Sequence, residues 1–338
     1  MRQGKRIVRH VLLLLTALAS LAGAALTGTA SAAATVERTV PIDASDPDPT
    51  GAGTPDPASA GTPGPGTPGA GTRPSDAGVD TASADTASDP RAPGAPGAPG
   101  PEIFTGRGFD TCNTPALDTL NAWRNSSYRA IGVYFGGRGR ACKTQTQLNR
   151  DWVRTATDGG WKILPVYVGS QAPCVRGAGK KHVAIGSQPT EQGRTEGLDA
   201  VRSASALGMT ESSPLYLDME AYDHTNEKCA GTTLDFIQSW NREVRRNGYL
   251  PGFYSSADSG VRHMESARQA GAQDLPEVMW FARWGVEASV TGEPSLSATG
   301  WNPHRRIHQY AGDVTETYGG KKMAIDRNLV DAPVAVIG

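Results

Sequence analysis

The chain has 338 residues and a formal net charge of −1, and the absence of a long basic run argues against nucleic acid or an anionic membrane as partner. Its composition is divided, because every aromatic residue lies at or after Phe104, whereas 14 of the 24 prolines lie between residues 41 and 101. A stretch rich in proline and without aromatic side chains cannot bury enough apolar surface to offset the entropy of folding, which excludes a folded domain before residue 104.

Residues 1–34 have the three parts of a secretory signal peptide. Four basic residues, Arg2, Lys5, Arg6 and Arg9, lie within the first ten positions, an apolar run covers 11–25, and A-S-A at 30–32 is a small-x-small cleavage pattern. A membrane anchor is the alternative, but the run is shorter than the roughly 20 residues that a span needs. The sequence therefore predicts a secreted, extracellular protein, associated with the cell wall, without stable membrane insertion after cleavage.

Residues 35–103 form the predicted linker. This stretch consists mainly of Gly, Ala, Pro, Ser, Thr and Asp, with near-repeats such as G-T-P-G at 61–64 and G-A-P-G at 94–97. Proline-rich stretches are semi-extended and glycine-rich ones flexible. We expect a disordered spacer that positions a single domain, residues 104–338, within a thick cell wall.

All four cysteines lie in this domain, at Cys112, Cys142, Cys174 and Cys229. An even count in an exported protein indicates two disulfides, for which three pairings are possible. We favour Cys112–Cys142 with Cys174–Cys229, because the loops after the first two strands should be neighbours. A metal site made of all four is the weaker alternative, since no C-x2-C pair occurs.

The domain alternates strand and helix patterns. The predicted strands cover 108–110, 130–135, 162–168, 214–220, 252–254, 278–284, 306–310 and 323–326. The predicted helices cover 115–125, 146–157, 191–207, 233–246 and 259–270. Alternation predicts an α/β domain with a parallel sheet, and about eight strands favour a (β/α)8 TIM-barrel-like fold over an open sheet. Without a G-x-G-x-x-G motif after a strand or a P-loop, nucleotide binding is not favoured.

Four acidic residues lie at the ends of predicted strands. Asp218 and Glu220 belong to a D-x-E motif and share one face of a strand that ends at the barrel mouth, where active sites form. Neighbouring carboxylates repel, so the pKa of one rises while the other stays ionised, as an acid/base pair requires. Asp110 and Asp326 end the first and last predicted strands, which are adjacent in a closed barrel.

Aromatic and amide side chains accompany these acids at the strand ends. Flat rings stack on sugar faces, and amides bind hydroxyl groups, although core packing is an alternative for each ring. The predicted substrate-binding residues are Tyr134, Tyr167, Tyr254, Trp280, Trp284, Gln309, Tyr310 and Asn328.

Five motifs in order carry a family resemblance: G-F-D at 108–110, L-D-M-E at 217–220, W-F-A-R-W at 280–284, H-Q-Y at 308–310 and I-D-R-N at 325–328. The domain resembles the glycoside hydrolase family 25 lysozymes (muramidases), and more closely the secreted bacterial glycoside-hydrolase-like domains related to them. The resemblance implies a barrel that acts on cell-wall glycan of the peptidoglycan type. It implies Glu220 as general acid, Asp218 as the group that orients the N-acetyl group or stabilises the cationic centre, and Asp110 and Asp326 as pocket-shaping acids.

The sequence departs from the lysozyme pattern at D-T-C-N, residues 110–113, and in a long loop through Cys174 to Pro189 that could narrow the mouth. Two functions therefore stay open, hydrolysis of β-1,4-linked amino-sugar glycan and glycan binding without turnover. A chitinase pattern is incomplete, because Tyr216 stands two positions before Asp218. Scattered histidines without H-x-H or H-E-x-x-H predict no metal, and we expect no cofactor and a monomer.

Overall fold

The computed structural model describes residues 100–338. The predicted signal peptide at 1–34 and nearly all of the predicted linker at 35–103 lie outside the described residues. The first strand begins at Glu102, slightly before the predicted domain start at 104. Within residues 100–338, no helix has both the length and the apolar character required to cross a membrane.

Eight strands form a closed barrel in chain order, which confirms the TIM-barrel-like α/β fold. The strands are β1 Glu102–Asp110, β2 Tyr128–Gly136, β3 Lys162–Tyr167, β4 Pro214–Asp218, β5 Leu250–Ser256, β6 Val278–Ala282, β7 Arg306–Tyr318 and β8 Lys321–Val334. The helices are α1 Leu117–Trp123, α2 Arg150–Asp158, α3 Pro189–Ala206, α4 Glu227–Arg246 and α5 Arg262–Gln269. A 3₁₀ turn lies at Ala178–Val183 and a π-helical turn at Ala257–Val261.

The direction of the last strand differs from the all-parallel sheet that the sequence predicts. Neighbouring strands from β1 to β7 are parallel, but β8 is antiparallel to both β7 and β1. Gly319 and Gly320 join β7 to β8 with positive φ angles of 55° and 77°, and such a two-residue turn reverses the chain into an antiparallel hairpin. Asp326 therefore lies inside the long β8 and not at a strand end. It is nevertheless the Cα partner of Asp110.

Helix α4 begins earlier than the sequence pattern indicates. The Asn226 side chain caps it by accepting a hydrogen bond from the backbone N–H of Cys229, at 3.0 Å. The predicted start of this helix at residue 233 is wrong, because Thr233 lies inside α4 and donates its hydroxyl to the Cys229 carbonyl. Arg245 and Arg246 occupy the last turn, where their positive charges interact favourably with the negative end of the helix dipole.

Apolar side chains pack on both faces of the barrel wall. The interior is filled by side chains that include Leu164, Val166, Tyr216, Trp280, Ile307 and Val330. A second layer, which includes Phe109 and Trp161, packs between the barrel and its helices. Because the interior is a packed core, a ligand site has room only at the loops beyond the strands.

The disulfides form as Cys112–Cys142 and Cys174–Cys229, and no free cysteine lies in residues 100–338. A metal site made of four cysteine thiolates is thus excluded. The first disulfide joins the loops after β1 and β2. The second ties the loop between β3 and α3 to the first turn of α4.

Candidate functional site

The four predicted acids line one cavity of about 570 Å³ at the mouth of the barrel. Asp110 is the last residue of β1, Asp218 is the last residue of β4, and Glu220 follows β4 closely. Asp326 enters the cavity from β8. Residues distant in the chain thus converge on one cavity, and its volume lies within the range of small-molecule sites.

Asp110 is fixed by three hydrogen bonds. It is 1% exposed, and its Oδ1 accepts from the Tyr134 hydroxyl at 2.7 Å. Its Oδ2 accepts from the side-chain amides of Asn328 at 2.7 Å and Gln309 at 3.0 Å. Burial raises the pKa of Asp110, and these three donors oppose the rise. Gly132 provides the space, because a Cβ there would lie 2.5 Å from the Asp110 Cβ.

The two amides are themselves held by aromatic donors. Trp280 Nε1 donates to Asn328 Oδ1 at 2.8 Å. The Tyr254 hydroxyl and Trp284 Nε1 donate to Gln309 Oε1 at 2.9 and 3.0 Å. Because the amide oxygens accept from these donors, both amides turn their NH2 groups towards Asp110. Every hydrogen bond of the network is therefore directed towards the Asp110 carboxyl.

Asp218 is buried in a different way. It is 4% exposed, and within residues 100–338 its buried Oδ1 has no hydrogen-bond partner. Burial, together with the negative charge of Glu220, raises the pKa of Asp218 well above its usual range, and the Lys180 ammonium only partly opposes this. Both effects favour the protonated form of Asp218, and its unpartnered Oδ1 offers an unused polar group to a ligand. An unpartnered buried group costs about 1–3 kcal/mol, which a bound hydroxyl or amide would relieve.

Glu220 is more accessible, with 41% of its side chain exposed, and its Oε1 lies 3.3 Å from Lys180 Nζ. Gln171 holds the backbone here, because its Oε1 accepts from Glu220 N–H and its Nε2 donates to the Asp218 carbonyl, both at 2.8 Å. The long loop between β3 and α3 supplies Lys180 and Gln171. Lys180 lines the cavity, so this loop contributes to its wall.

Asp326 completes the acidic set. It is half-buried, and its Oδ1 accepts from the Asp313 backbone N–H at 2.8 Å. Burial, and then the negative charge of Asp110, raises the pKa of Asp326 to about 6. The cavity thus combines carboxyl groups that differ in exposure and in proton affinity.

Two predicted substrate-binding residues point away from the cavity. Val166 and Val168 face the barrel interior, so Tyr167 between them faces the helices, where its hydroxyl donates to Asp199 at 2.7 Å. Gln309 points inward, so the next residue, Tyr310, lies on the outer face of β7 with its ring against His308. The prediction that Tyr167 and Tyr310 bind substrate is wrong, since both side chains lie on the outer face of their strands, away from the cavity.

The other predicted aromatic residues differ in whether they lie at the cavity, in the core or at the surface. Tyr134 lines the cavity beside Asp110. Trp280 is buried one layer below the mouth, in the barrel core against Tyr216, so the prediction that it contacts substrate is also wrong. Trp284 is 50% exposed and remains a candidate stacking surface near Gln309.

A family model described as the Rv2525c-like, glycoside hydrolase-like domain matches residues 121–330. A comparison with curated proteins gives no match.

Solved structures with a similar fold come from several bacteria. The Mycobacterium tuberculosis Tat-secreted protein Rv2525c, in complex with L-tartrate, shares 16% identity at a TM-score of 0.48, over 68% of this chain and 99% of that one. An uncharacterized B. stearothermophilus protein shares 18% identity at a TM-score of 0.45, over 66% and 95% of the two chains. The modular autolysin LytC from Streptococcus pneumoniae shares 15% identity at a TM-score of 0.43, over 67% and 46%.

Proposed function

The chain belongs to the Rv2525c-like glycoside hydrolase-like domain family, and from this premise we propose that it is a secreted hydrolase of cell-wall glycan of the peptidoglycan type. In this proposal, residues 1–34 direct secretion and residues 35–103 tether the barrel within the wall. The observation that carries the proposal is the pair Asp218 and Glu220 in one cavity, one carboxyl buried and the other accessible. The resemblance of the motifs to family 25 lysozymes supports the choice of substrate.

Glycosidic cleavage needs a proton on the leaving oxygen and stabilisation of a cationic sugar ring. We assign the proton transfer to Glu220, because it is the more accessible carboxyl of the pair. Asp218 would orient the N-acetyl group of the sugar through its unpartnered Oδ1 and, once ionised, would stabilise the cationic ring. Water then adds to the anomeric carbon, and its proton returns to Glu220. Asp110 and Asp326 would shape the pocket around the ring.

Zymography on peptidoglycan with the full chain tests the assignment. Glu220→Gln should lower clearing by about 10²–10⁴-fold, the usual contribution of a general acid. Glu211→Gln is the matched control, because Glu211 is exposed and precedes β4 at the other end of the barrel. Equal clearing by wild type and Glu220→Gln would show that Glu220 is not the general acid.

Glycan binding without turnover is the second candidate function. It is favoured by the ion pair between Lys180 and Glu220, which occupies the carboxyl that would act as acid. Sedimentation with insoluble peptidoglycan, followed by a reducing-end assay, separates the two functions. Retention on the pellet without new reducing ends would favour binding alone, whereas new reducing ends that Glu220→Gln does not produce would favour hydrolysis.

A further inference from the structure

Gln171 lies in the loop after β3 and is completely buried, with an exposed fraction of 0%. Its side-chain amide contacts the backbone of the D-x-E segment on both sides of Met219. Nε2 donates to the Asp218 carbonyl and Oε1 accepts from the Glu220 N–H, both at 2.8 Å. Gln171 does not line the cavity, so this amide serves the chain that carries the two acids and not a ligand.

The two hydrogen bonds have the pattern of a neighbouring strand. In a parallel sheet, a residue donates its N–H to the residue before its partner and accepts, through its carbonyl, from the residue after that partner. Pairing of β3 with β4 ends at Tyr167, and Val168 N–H then donates to the Gly136 carbonyl of β2 at 3.1 Å. The side chain of Gln171 therefore takes the position opposite Met219 that a further β3 residue would occupy.

Both sides of this contact are held in place. The Gln171 N–H donates to the Val183 carbonyl at 3.0 Å, and its carbonyl accepts from the Ile185 N–H at 2.8 Å. From the opposite side, Met219 N–H donates to the Tyr254 carbonyl of β5 at 3.0 Å. Because its own backbone is paired and its side chain is buried, Gln171 can fix the peptide groups before and after Met219.

On the basis of the proposed function, we propose that Gln171 is a positioning residue that fixes the directions of the Asp218 and Glu220 side chains for glycan cleavage. Rotation of either peptide group beside Met219 would turn the adjacent carboxyl away from the sugar. A displacement of about 1 Å at a reacting group can lower a rate by about 10²-fold. Gln171 thus acts on the rate of cleavage without contact with the glycan.

Steady-state kinetics of the full chain on soluble peptidoglycan fragments test this role. Gln171→Met keeps the length of the side chain but loses both hydrogen bonds, so kcat should fall by about 10²-fold with little change in KM. Gln238→Met is the matched control, since that amide also donates to a backbone carbonyl, Gln273, but at the surface beside α4. A wild-type kcat in Gln171→Met, or a loss confined to KM, would overturn the proposal.

Gln171→Glu provides a rescue that a purely structural role would not show. The introduced carboxyl accepts from the Glu220 N–H in either form, but it donates to the Asp218 carbonyl only when it is protonated. Gln171→Glu should therefore have a higher kcat than Gln171→Met, with a difference that widens as the pH falls. Equal kcat values for the two variants at every pH would contradict the proposal.

A further measurement does not depend on turnover. Amide hydrogen exchange, followed by NMR in the ¹⁵N-labelled full chain without glycan, reports each backbone contact separately. In Gln171→Met, the Glu220 N–H should exchange about tenfold faster, as for the loss of one hydrogen bond, whereas Met219 N–H keeps its rate. Unchanged exchange at Glu220 would reject the role of Gln171 whatever the activity. Faster exchange in a protein whose wild type releases no reducing ends would reject the proposed hydrolysis and retain the role of Gln171 in holding the D-x-E backbone.

Discussion

Asp110 and Asp218 lie on two sides of the same cavity, each at the end of a barrel strand and each almost completely buried. On the β1 side, three donors saturate the Asp110 carboxyl. On the β4 side, Asp218 Oδ1 has no partner within the described part of the chain. Burial alone therefore does not identify a reactive acid. A saturated carboxyl organises its surroundings, whereas an unsaturated one keeps its bonding capacity for a ligand.

The largest expected effect is on activity, at the β4 side. Asp218→Asn should lower glycan cleavage by about 10²–10³-fold, because the amide cannot take the negative charge with which the carboxylate would stabilise the cationic sugar ring. Its free energy of unfolding should not fall, since an amide of the same shape replaces a buried carboxyl that has an unpartnered oxygen. Reducing-end assays and thermal unfolding of the same samples measure both. Loss of stability comparable to that of Asp110→Asn would abolish the distinction between the two sides.

The next effect is on stability, at the β1 side. Asp110→Asn leaves one acceptor oxygen to face the donors of Tyr134, Gln309 and Asn328, so at least one of them loses its partner. We expect a loss of about 1–3 kcal/mol in the free energy of unfolding. Calorimetry should show a Tm lower by several degrees, given about 2–4 °C per kcal/mol for a domain of this size.

Asp118→Asn is the control for this substitution. Asp118 is an exposed aspartate that pairs with Lys321 at the surface, so its replacement should change stability by less than about 1 kcal/mol. Equal changes in Tm for Asp110→Asn and Asp118→Asn would show that the buried network does not stabilise the fold.

The smallest effect is a pH dependence of stability from Asp326. Its pKa is raised to about 6 in the folded protein, compared with about 3.9 for an unfolded aspartate. Between these values the folded state binds more protons than the unfolded state, so the free energy of unfolding falls as the pH rises and is level above that window. Asp326→Asn should remove this part of the fall. Denaturant unfolding of both proteins at pH 4, 5, 6 and 7 measures the difference, and parallel curves would contradict it.

The acids were predictable because each follows an apolar strand pattern and closure brings the first and last strands together. The direction that each aromatic faces was harder to predict. Strand alternation gives a period of two but not its phase, which depends on which residues fill the interior. Tyr167 and Tyr310 were misassigned for this reason.

The direction of β8 and the positions of Lys180 and Gln171 do not follow from the alternation of strand and helix patterns. Strand–helix alternation predicts a short parallel β8, whereas Gly319-Gly320 allows the two-residue turn that makes β7 and β8 an antiparallel hairpin. Lys180 and Gln171 belong to a loop whose position depends on the Cys174–Cys229 disulfide and on contacts with the chain after β4. No motif marks such residues, because long-range contacts bring them to the acids.

Digestion of purified peptidoglycan in H₂¹⁸O, followed by mass spectrometry of the released fragments, tests the central claim most directly. Wild type should produce new reducing ends that carry one ¹⁸O each, Asp218→Asn and Glu220→Gln should produce almost none, and Asp110→Asn, assayed well below its Tm, should still produce them. Wild-type protein that binds the glycan without adding ¹⁸O, or an Asp218→Asn variant that labels fragments at the wild-type rate, would contradict the account.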